Sequence, residues 1–403
     1  MTESLSDTAP HRKLTDITLG HAAERHAGNA GLHRAGEVHR VTLGSGRTAW
    51  LVTGYEAARA ALNDPRLENR TGDVGGGRRM PEHLRRAMNS HMLSMSPPDH
   101  TRLRRLVSAA FTRRRTERLR PWIQRRTDAL LDALDGEHEV DLIAALALPL
   151  PLQVLAELFG IPEEDCDTFH GWTTVLTSSM VPLDRLTATA GEMLDYVRSL
   201  LDRKRREPGE DLLSALTAVR DGDDRLSEDE LTSMLFLFLV AGHETTVNLI
   251  GNGVLSLLGD TAQLDRLRAD PALLPAAVEE VLRYESPVQL TARRSTEPLT
   301  LGGMDIPAGE TVLVSLLAAD RDPGRFDAPD RLLLDRGDNA HLAFGHGYHH
   351  CLGAPLARLE GVVAIGSLVA RFPRLRLARP AETLTWRTSM FHHGLTELPV
   401  LLR

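Results

Sequence analysis

Apolar residues recur at intervals of three to four along most of the chain. This spacing places the apolar side chains on one face of a helix, so that the face can be buried against a core. Several segments follow the pattern clearly, and for them we predict helices: Pro98–Phe111, Pro121–Leu134, Leu186–Arg205, Ser227–Leu258, Pro275–Tyr284 and Pro355–Ala370.

Strand signals are limited to two regions of the chain. Val38–Leu43 and Thr48–Thr53 flank the turn residues Gly44-Ser45-Gly46, which predicts a β-hairpin. Short apolar segments separated by Gly and Pro predict a small sheet later in the chain, made of Leu299–Leu301, Met304–Ile306 and Thr311–Ser315. The predicted fold is therefore mainly α with a minor β part.

The sequence contains no linker that would divide it into domains. No stretch rich in Pro, Gly or Ser divides the chain, so we predict a single domain over residues 16–403. Residues 1–15 are polar and lack the apolar core of a signal peptide, and we expect a flexible N-terminus. The longest apolar run, Met234–Ala241, is shorter than the about 18 residues that a membrane helix needs. We expect a cytoplasmic protein that does not contact a membrane.

Composition and charge narrow the class of protein. The chain has 403 residues, a formal net charge of −8, 42% hydrophobic residues and 25% charged residues, which is typical of a globular domain. An acidic balance argues against nucleic acid as the main partner. The two cysteines, Cys166 and Cys351, are too few for a disulfide framework. Cys166 has acidic neighbours and no predicted task, so the chemistry is sought at Cys351.

Cys351 lies in the segment 344–353, which reads FGHGYHHCLG, and Pro355 follows in what should be the first turn of a helix. Unpaired N–H groups at a helix start stabilise a thiolate, so we expect a lowered pKa for Cys351. A buried structural cysteine is one alternative. A zinc site with His349 and His350 is another, but adjacent residues rarely converge on one tetrahedral ion. A thiolate bound to haem iron fits the glycine-rich loop best.

A second motif interrupts the long apolar helix Ser227–Leu258. In its middle, residues 241–246 read AGHETT, where a glycine costs about 1 kcal/mol relative to alanine and a buried carboxylate costs more unless it is paired. Thr245 can donate a hydrogen bond to the carbonyl four residues earlier and bend the helix. One alternative is a helix that crosses a solvated patch. A zinc motif H-E-x-x-H is excluded, because Val247 stands where the second histidine is required.

The two motifs together resemble those of cytochrome P450 monooxygenases. The loop matches F-G-x-G-x-H-x-C-x-G at residues 344–353, and the helix matches A/G-G-x-D/E-T-T at residues 241–246. The resemblance covers nearly the whole chain. Within the family, the chain is similar to soluble bacterial members, in particular those of actinomycetes that modify polyketides, macrolides and other secondary metabolites. It implies a single-domain fold with a long central helix over haem b. The implied reaction inserts one oxygen atom from dioxygen into a hydrophobic small molecule, by hydroxylation or epoxidation.

The resemblance also implies roles for particular residues. Cys351 would be the axial ligand of the haem iron, shielded by Phe344, and Glu244 with Thr245 would deliver protons. The remaining cofactor-binding residues would be Ala241 and Gly242 beside the dioxygen site, Gly353 in the loop, and the propionate partners His100, Arg104, Arg293 and His349. A buried ion network supporting the loop would consist of Glu280, Arg283 and Arg331.

Substrate and partner residues follow from the same resemblance. The segment Thr71–Arg86 contains three consecutive glycines and is predicted to act as a lid, and Thr174–Met180 is predicted to contact substrate. An apolar pocket would be lined by Val240, Ala241, Val247, Val288, Leu290, Met390 and Phe391. A chain of this length filled by the P450 fold has no room for flavin domains, so we expect it to receive electrons from separate proteins, a ferredoxin and its reductase. We also expect a monomer. The basic face for that partner would comprise Arg104, Arg105, Arg113, Arg114, Arg115 and Arg358.

Two alternatives to this function remain open at the level of sequence. A non-catalytic haem-binding sensor on the same scaffold would not need the Glu244–Thr245 pair. A family member that oxidises xenobiotics or fatty acids would need it equally, so the sequence does not separate that possibility from secondary metabolism.

Overall fold

The computed structural model describes residues 12–18, 22–69, 80–178, 181–221 and 224–403. Within these ranges the helices are α1 Thr15–Thr18, α2 Ala22–Ala35, α3 Tyr55–Asn63, α4 Glu82–Asn89, α5 Asp99–Ala110, α6 Arg113–Arg118, α7 Arg120–Asp132, α8 Pro149–Phe159, α9 Cys166–Thr177, α10 Leu183–Arg206, α11 Leu212–Ala218, α12 Glu228–Ala241, α13 Glu244–Gly259, α14 Thr261–Ala269, α15 Leu274–Tyr284, α16 Leu316–Ala319 and α17 Ala354–Arg371.

The predicted helices are present as α5, α7, α10, α15 and α17, with ends that differ from the prediction by a few residues at most. The exception is the long helix predicted over Ser227–Leu258. It consists of α12 and α13, which are separated at Gly242 and His243. Ser227 caps α12 in a capping box with Glu230. The polar interruption read from the sequence is thus a true break in the helix.

The strands in the described residues are β1 Arg12–Lys13, β2 Val38–Thr42, β3 Thr48–Val52, β4 Leu67–Asn69, β5 Glu139–Asp141, β6 Arg220–Asp221, β7 Asp224–Arg225, β8 Leu290–Ser295, β9 Leu299–Leu301, β10 Met304–Ile306, β11 Thr311–Ser315, β12 Arg376–Leu377 and β13 Pro399–Leu401. The β2–β3 hairpin is present as predicted, with Val38 opposite Val52. The main sheet has the strand order β1–β2–β3–β11–β8–β4.

The small sheet is only partly as predicted. β9 and β10 pair with each other, but β11 lies in the main sheet, parallel to β3 and antiparallel to β8. All five residues of β11 are buried, which is the pattern of a central strand covered on both faces. β8 escaped the prediction because Arg293 and Arg294 interrupt its apolar pattern.

The N-terminal segment 1–15, for which we predict flexibility, is described only from Arg12 onward. Residues 1–11 lie outside the described residues, whereas Arg12–Lys13 pairs with β2 and Thr15 begins α1. The backbone N–H of Leu14 donates to the carbonyl of Thr42, which ties this segment to the sheet.

The largest apolar core lies among α7, α8, α12, α13 and α17. Its buried members include Ile123, Leu155, Leu235, Ile250 and Ile365, one from each of these helices. Burying a side chain of this size stabilises the fold by about 1.5–3 kcal/mol. The stretch Glu228–Gly259 is long and apolar enough to cross a membrane, but 72% of its most apolar window is buried inside the structure. That burial is typical of the core helix of a globular protein.

Candidate active site

The cysteine loop connects the irregular segment after α16 to the start of α17. The backbone N–H of Cys351 donates to the carbonyl of Phe344 at 2.9 Å, which closes the loop. Gly347 has a φ of +69°, and a Cβ at this position would lie 2.5 Å from Oδ1 of Asn63. Only glycine fits there. Pro355 lies in the first turn of α17, as predicted, so Cys351 lies just before the helix N-terminus.

The environment of the Cys351 sulfur corrects one expectation. Cys351 is exposed at the surface of the loop, but the protein atoms around its sulfur still raise the pKa of the thiol above its ordinary value, and the N–H groups of Gly353 and Ala354 offset this only in part. The positive charges of Arg104 and Arg358 act in the same direction as those N–H groups. The helix start therefore does not by itself make Cys351 a thiolate, and a cation bound to the sulfur would supply the missing stabilisation.

Phe344 lies against the start of α17. Its ring packs under the guanidinium of Arg358 at 4.5 Å, and Nε of Arg358 pairs with Oε1 of Glu279 at 2.6 Å. The ring of His341 lies 5.8 Å from that of Phe344. These contacts hold the aromatic ring of Phe344 at the beginning of the cysteine loop.

A cluster of hydrogen-bond donors lies next to the loop. The ring of His100 is 4.5 Å from that of His349 and 5.2 Å from that of Tyr348, centroid to centroid. Both ring nitrogens of His100, Nε2 of His349 and the hydroxyl of Tyr348 are buried, and none has a hydrogen-bond partner within the described part of the chain. Arg104 extends from the same helix as His100 and lies within electrostatic range of Cys351. We call His100, Arg104, Arg293, Tyr348 and His349 the donor cluster.

The pKa shifts within the donor cluster indicate that a negatively charged partner is missing. Burial and nearby positive charges lower the pKa of His349 to about 3 and that of His100 to about 4. Burial also lowers the pKa of Arg293 to about 10. Arg293 is buried whereas Arg294 is exposed, so β8 presents the first of the two arginines to the cluster. Each of these shifts would be reversed by a ligand with negatively charged oxygens.

The break between α12 and α13 contains small residues. The hydroxyl of Thr245 donates to the carbonyl of Ala241 at 3.1 Å, the local bond expected from the sequence. A Cβ on Gly242 would lie 2.4 Å from the carbonyl oxygen of Phe238 and 2.8 Å from Cδ1 of Leu155. Ala241 and Gly242 are exposed although they lie in the middle of an otherwise buried span. The break therefore presents a small, open stretch of backbone.

Glu244 lies at the break with its carboxylate turned into the protein, where it is 2% exposed. One oxygen, Oε2, forms an ion pair with Arg387. The other, Oε1, lies 4.0 Å from Nδ1 of His170 and 4.0 Å from Nε2 of His243. Burial lowers the pKa of His243 to about 4. Sequence reasoning missed Arg387 and His170, because nothing in the local pattern links either of them to residues 241–246.

Comparison with known proteins decides the family. The model of the family described as cytochrome P450 matches residues 180–379. The chain is 50% identical over 388 residues to cytochrome P450 107B1 of Saccharopolyspora erythraea, covering 94% of this chain and 95% of the relative. It is 46% identical over 388 residues to cytochrome P450 monooxygenase PikC of Streptomyces venezuelae, covering 95% and 92% respectively.

The solved structure of the tirandamycin C-bound P450 monooxygenase TamI is 46% identical, with a TM-score of 0.86, and the match covers 94% of this chain and 97% of that one. The chain belongs to the cytochrome P450 family. The predicted family, fold class and enzyme class are thereby confirmed. This P450 is an oxidoreductase of the monooxygenase class, and its family binds a haem iron, acts on small molecules and receives electrons from redox partners.

The residues of this P450 fit a haem. The buried, unpartnered donors of His100, Tyr348 and His349 match the acidic propionates, and Cys351 is a free, exposed cysteine that can offer its sulfur to an iron. Arg104 and Arg293 supply positive charge to the same region. Tyr348 was not among the predicted partners, because its place in the loop motif is not fixed.

The ion network of this P450 differs from the prediction at one residue. Arg283 pairs with Glu280 through Nε at 2.8 Å and Nη2 at 2.9 Å, and both side chains are fully buried. The second guanidinium on Glu280 belongs to Arg336, with Nε 3.0 Å from Oε2. Arg331 is exposed and contributes only its carbonyl oxygen, which accepts from Arg283 at 3.0 Å. The expectation for the Arg331 side chain was therefore wrong, because the irregular segment turns its backbone inward at that point.

The network reaches the cysteine loop through the segment that precedes it. Nη1 of Arg283 donates to the carbonyl of Asp320 at 3.0 Å, and Oδ1 of Asp320 accepts from the backbone N–H of Leu342 at 2.6 Å. Asn339 also donates to Glu280 at 3.2 Å. α15, α16 and the residues just before Phe344 are thus held by one set of buried hydrogen bonds.

Two of the predicted substrate segments lie side by side in this P450. The backbone N–H of Gln289 donates to the carbonyl of Phe391 at 2.8 Å, and Val288 forms a bridge with His392. Among the predicted lining residues, Val247 and Leu290 are buried in packed apolar clusters, and the more open ones are Val240, Ala241, Val288, Met390 and Phe391. The predicted lid and the predicted segment Thr174–Met180 fall in part on residues 71–79 and 179–180, outside the described residues.

Proposed function

We propose that this P450 holds haem b with Cys351 as the axial ligand and oxidises a hydrophobic polyketide or macrolide-like molecule. The main support for a haem site is the donor cluster. Its unpartnered groups on His100, Tyr348 and His349 lie next to or within the loop that contains Cys351. When bound, the haem supplies the activation of dioxygen at its iron. The chain binds that group, excludes water around it and moves protons.

Proton delivery falls to the two residues at the helix break. Thr245 Oγ1 donates to Ala241, so its oxygen lone pairs remain available to accept a proton or a hydrogen bond. Glu244 lies directly before Thr245 in the chain, and its Oε1 has no hydrogen-bond partner within the described residues. The buried carboxylate can take protons on Oε1 while Oε2 stays fixed by Arg387. The pair then passes protons toward the open backbone of Ala241 and Gly242.

The substrate class rests on the lining and on the relatives. The partly open residues Val240, Val288, Met390 and Phe391 offer an apolar surface for a large hydrophobic molecule. TamI has been solved with tirandamycin C, and a 6-deoxyerythronolide B hydroxylase of Saccharopolyspora erythraea is 43% identical over 367 residues. Both names support secondary metabolism for this P450, with hydroxylation or epoxidation as its reaction.

The electron donor is proposed to be a ferredoxin with its reductase. α6 carries Arg113, Arg114 and Arg115 and packs against α17, which begins just after the cysteine loop. Arg358 lies within electrostatic range of Cys351, and together with Arg105 these arginines would form the positively charged face that an acidic partner needs. We propose a cytoplasmic monomer in which residues 16–403 form one domain.

The proposal is tested by the spectrum of the ferrous protein under carbon monoxide. A thiolate ligand gives the strongly red-shifted Soret band that is typical of this family. Cys351→His is expected to bind haem with a band at the position typical of histidine ligation. A wild-type spectrum typical of histidine ligation, or no bound haem, contradicts the proposal. Macrolides and polyketides are then screened for the Soret shift that accompanies loss of the water ligand, and absence of any response would refute the substrate class.

A further inference from the structure

We propose that His170, His243 and Glu244 form a binding site for a divalent transition metal, with Zn²⁺ as the best match. His170 lies on α9, His243 lies in the helix break and Glu244 begins α13, all far in sequence from the cysteine loop. The site is independent of the haem and goes beyond the proposed function. It requires only the folded chain.

The three ligand atoms converge on one point. Nδ1 of His170, Nε2 of His243 and Oε1 of Glu244 all lie within 4.8 Å of one another, and each imidazole nitrogen is 4.0 Å from the carboxylate oxygen. Zinc bonds of about 2.0–2.2 Å bring tetrahedral ligand atoms to roughly 3.4 Å from one another. The two imidazole rings, with centroids 6.1 Å apart, need only small side-chain rotations to reach that spacing.

The lone pairs needed for coordination are available. Nδ1 of His243 lies 3.1 Å from the carbonyl of Leu239, which can only accept, so the proton is on Nδ1 and the lone pair is on Nε2. This is the arrangement that orients most metal-binding histidines. The Thr173 hydroxyl, 3.1 Å from Nε2, also reaches the carbonyl of Phe169 at 3.0 Å and can donate there instead.

Two atoms of the site have no other hydrogen-bond partner. Glu244 is 2% exposed and its Oε1 is unpartnered, as is Nδ1 of His170, within the ranges that the structure describes. A buried carboxylate oxygen without a donor is costly, and a metal ion would satisfy it together with both imidazoles. Two histidines and one glutamate are also a donor set that zinc uses with water in the fourth position.

Arg387 limits the affinity of the proposed site for a metal ion. Its guanidinium pairs with Oε2 of Glu244 and leaves Oε1 free, but its positive charge opposes a second cation nearby. The side chain of His170 is 27% exposed, which provides an entry path from solvent. We therefore expect reversible binding of one ion per chain.

Occupation of the site would affect the reaction, a consequence that rests on the proposed function. A metal on Oε1 takes the oxygen that Glu244 uses to accept protons, and it fastens α9 to α13. Added zinc is expected to slow product formation without displacing the haem.

The test uses the haem-loaded enzyme, titrated with ZnCl₂ in a calorimeter, with zinc-edge X-ray absorption on the loaded sample. One ion per chain with two imidazole nitrogens in its ligand shell is expected. His170→Ala should weaken binding at least about tenfold. The control is His138→Ala, which removes an exposed histidine that is not part of the cluster and should leave the affinity unchanged.

Binding that is absent, or equal in wild type and His170→Ala, overturns the proposal. The carbon monoxide spectrum of the same samples shows whether the protein is folded and which residue binds the haem iron, independently of zinc binding. A normal thiolate spectrum without zinc binding refutes the metal site alone. Zinc binding with a histidine-type spectrum supports the metal site and refutes the proposed haem ligation.

Discussion

Nε of Arg336 lies 3.0 Å from Oε2 of Glu280, in a buried ion network whose other guanidinium belongs to Arg283. Glu280 also accepts from the backbone N–H of Leu333 at 2.9 Å. One carboxylate on α15 therefore organises the irregular segment that leads to the cysteine loop. Removing one partner of such a network leaves a buried charge only partly compensated.

The network predicts opposite outcomes for two arginines close together in the sequence. Arg336→Ala should lower the free energy of unfolding. Breaking a buried ion pair typically costs about 3–5 kcal/mol, and we expect a value near the lower end because Arg283 still pairs with Glu280. Arg331→Ala should change stability by no more than about 0.5 kcal/mol, since only its carbonyl is used. Urea unfolding followed by the Soret band measures both variants. Equal destabilisation by the two variants would contradict the assignment.

The neighbouring arginines of β8 offer a second matched pair. Arg293 is buried beside the donor cluster and Arg294 is exposed. A hydrogen bond to a charged group contributes about 1.5–3 kcal/mol, so Arg293→Gln should release haem roughly tenfold faster or more. Arg294→Gln should release it at the wild-type rate. Transfer of haem to excess apomyoglobin measures the rate, and faster release only in Arg294→Gln would place the wrong arginine at the propionates.

Much of this architecture could be predicted from the chain because it depends on local pattern. The helix periodicity, the β9 and β10 strands, the glycine loop around Cys351 and the bond from Thr245 to Ala241 all involve residues close in sequence. Local chemistry of this kind is set by spacing alone.

The parts that were not predicted depend on distant residues. Arg387 reaches Glu244 from the C-terminal segment, and His170 reaches it from α9. Arg336 was not distinguished from Arg331 because both lie in a segment without periodicity, where the backbone path decides which side chain points inward. The environment of Cys351 also depends on distant residues, since Arg104 and Arg358 act on its pKa from two other parts of the chain.

Asp320 makes the stability of the protein depend on pH. Burial raises the pKa of Asp320 from 3.8 to about 7, so the folded state holds a proton that the unfolded chain has lost. The stability from this group is complete below pH 3.8 and is lost as the pH rises toward about 7. Asp320→Asn cannot ionise and keeps an oxygen for the N–H of Leu342.

The Asp320→Asn variant should therefore gain stability relative to wild type as the pH rises, by at most about 1.4 kcal/mol per unit of pH. Unfolding midpoints of both proteins across the range from weakly acidic to weakly basic buffer measure the difference. Since all other titrating groups are common to both proteins, their effects on the difference cancel. A difference that stays constant with pH would show that Asp320 is not protonated in the folded state.

Gly242 should be essential for the shape of the helix break. Gly242→Ala places a methyl group 2.4 Å from the carbonyl oxygen of Phe238, a backbone atom that cannot move aside cheaply. Overpacking of this kind costs about 1–3 kcal/mol. Gly259→Ala is the control, because a Cβ there meets nothing within 4 Å. Thermal unfolding should show a lower midpoint for Gly242→Ala alone, and equal midpoints would mean that the break tolerates a side chain.

The hydroxyl of Thr245 should determine how efficiently electrons are used. Thr245→Ala removes Oγ1, which donates to the carbonyl of Ala241 and follows the buried Glu244 in the chain, so we expect that protons no longer arrive in step with electrons. We expect continued consumption of reducing equivalents with less product and more hydrogen peroxide. Thr245→Ser keeps the hydroxyl and should retain most of the wild-type ratio of product to electrons consumed. Because both variants alter the same position in the helix, a similar loss in both would indicate a packing role for the Thr245 methyl group rather than a role in proton delivery.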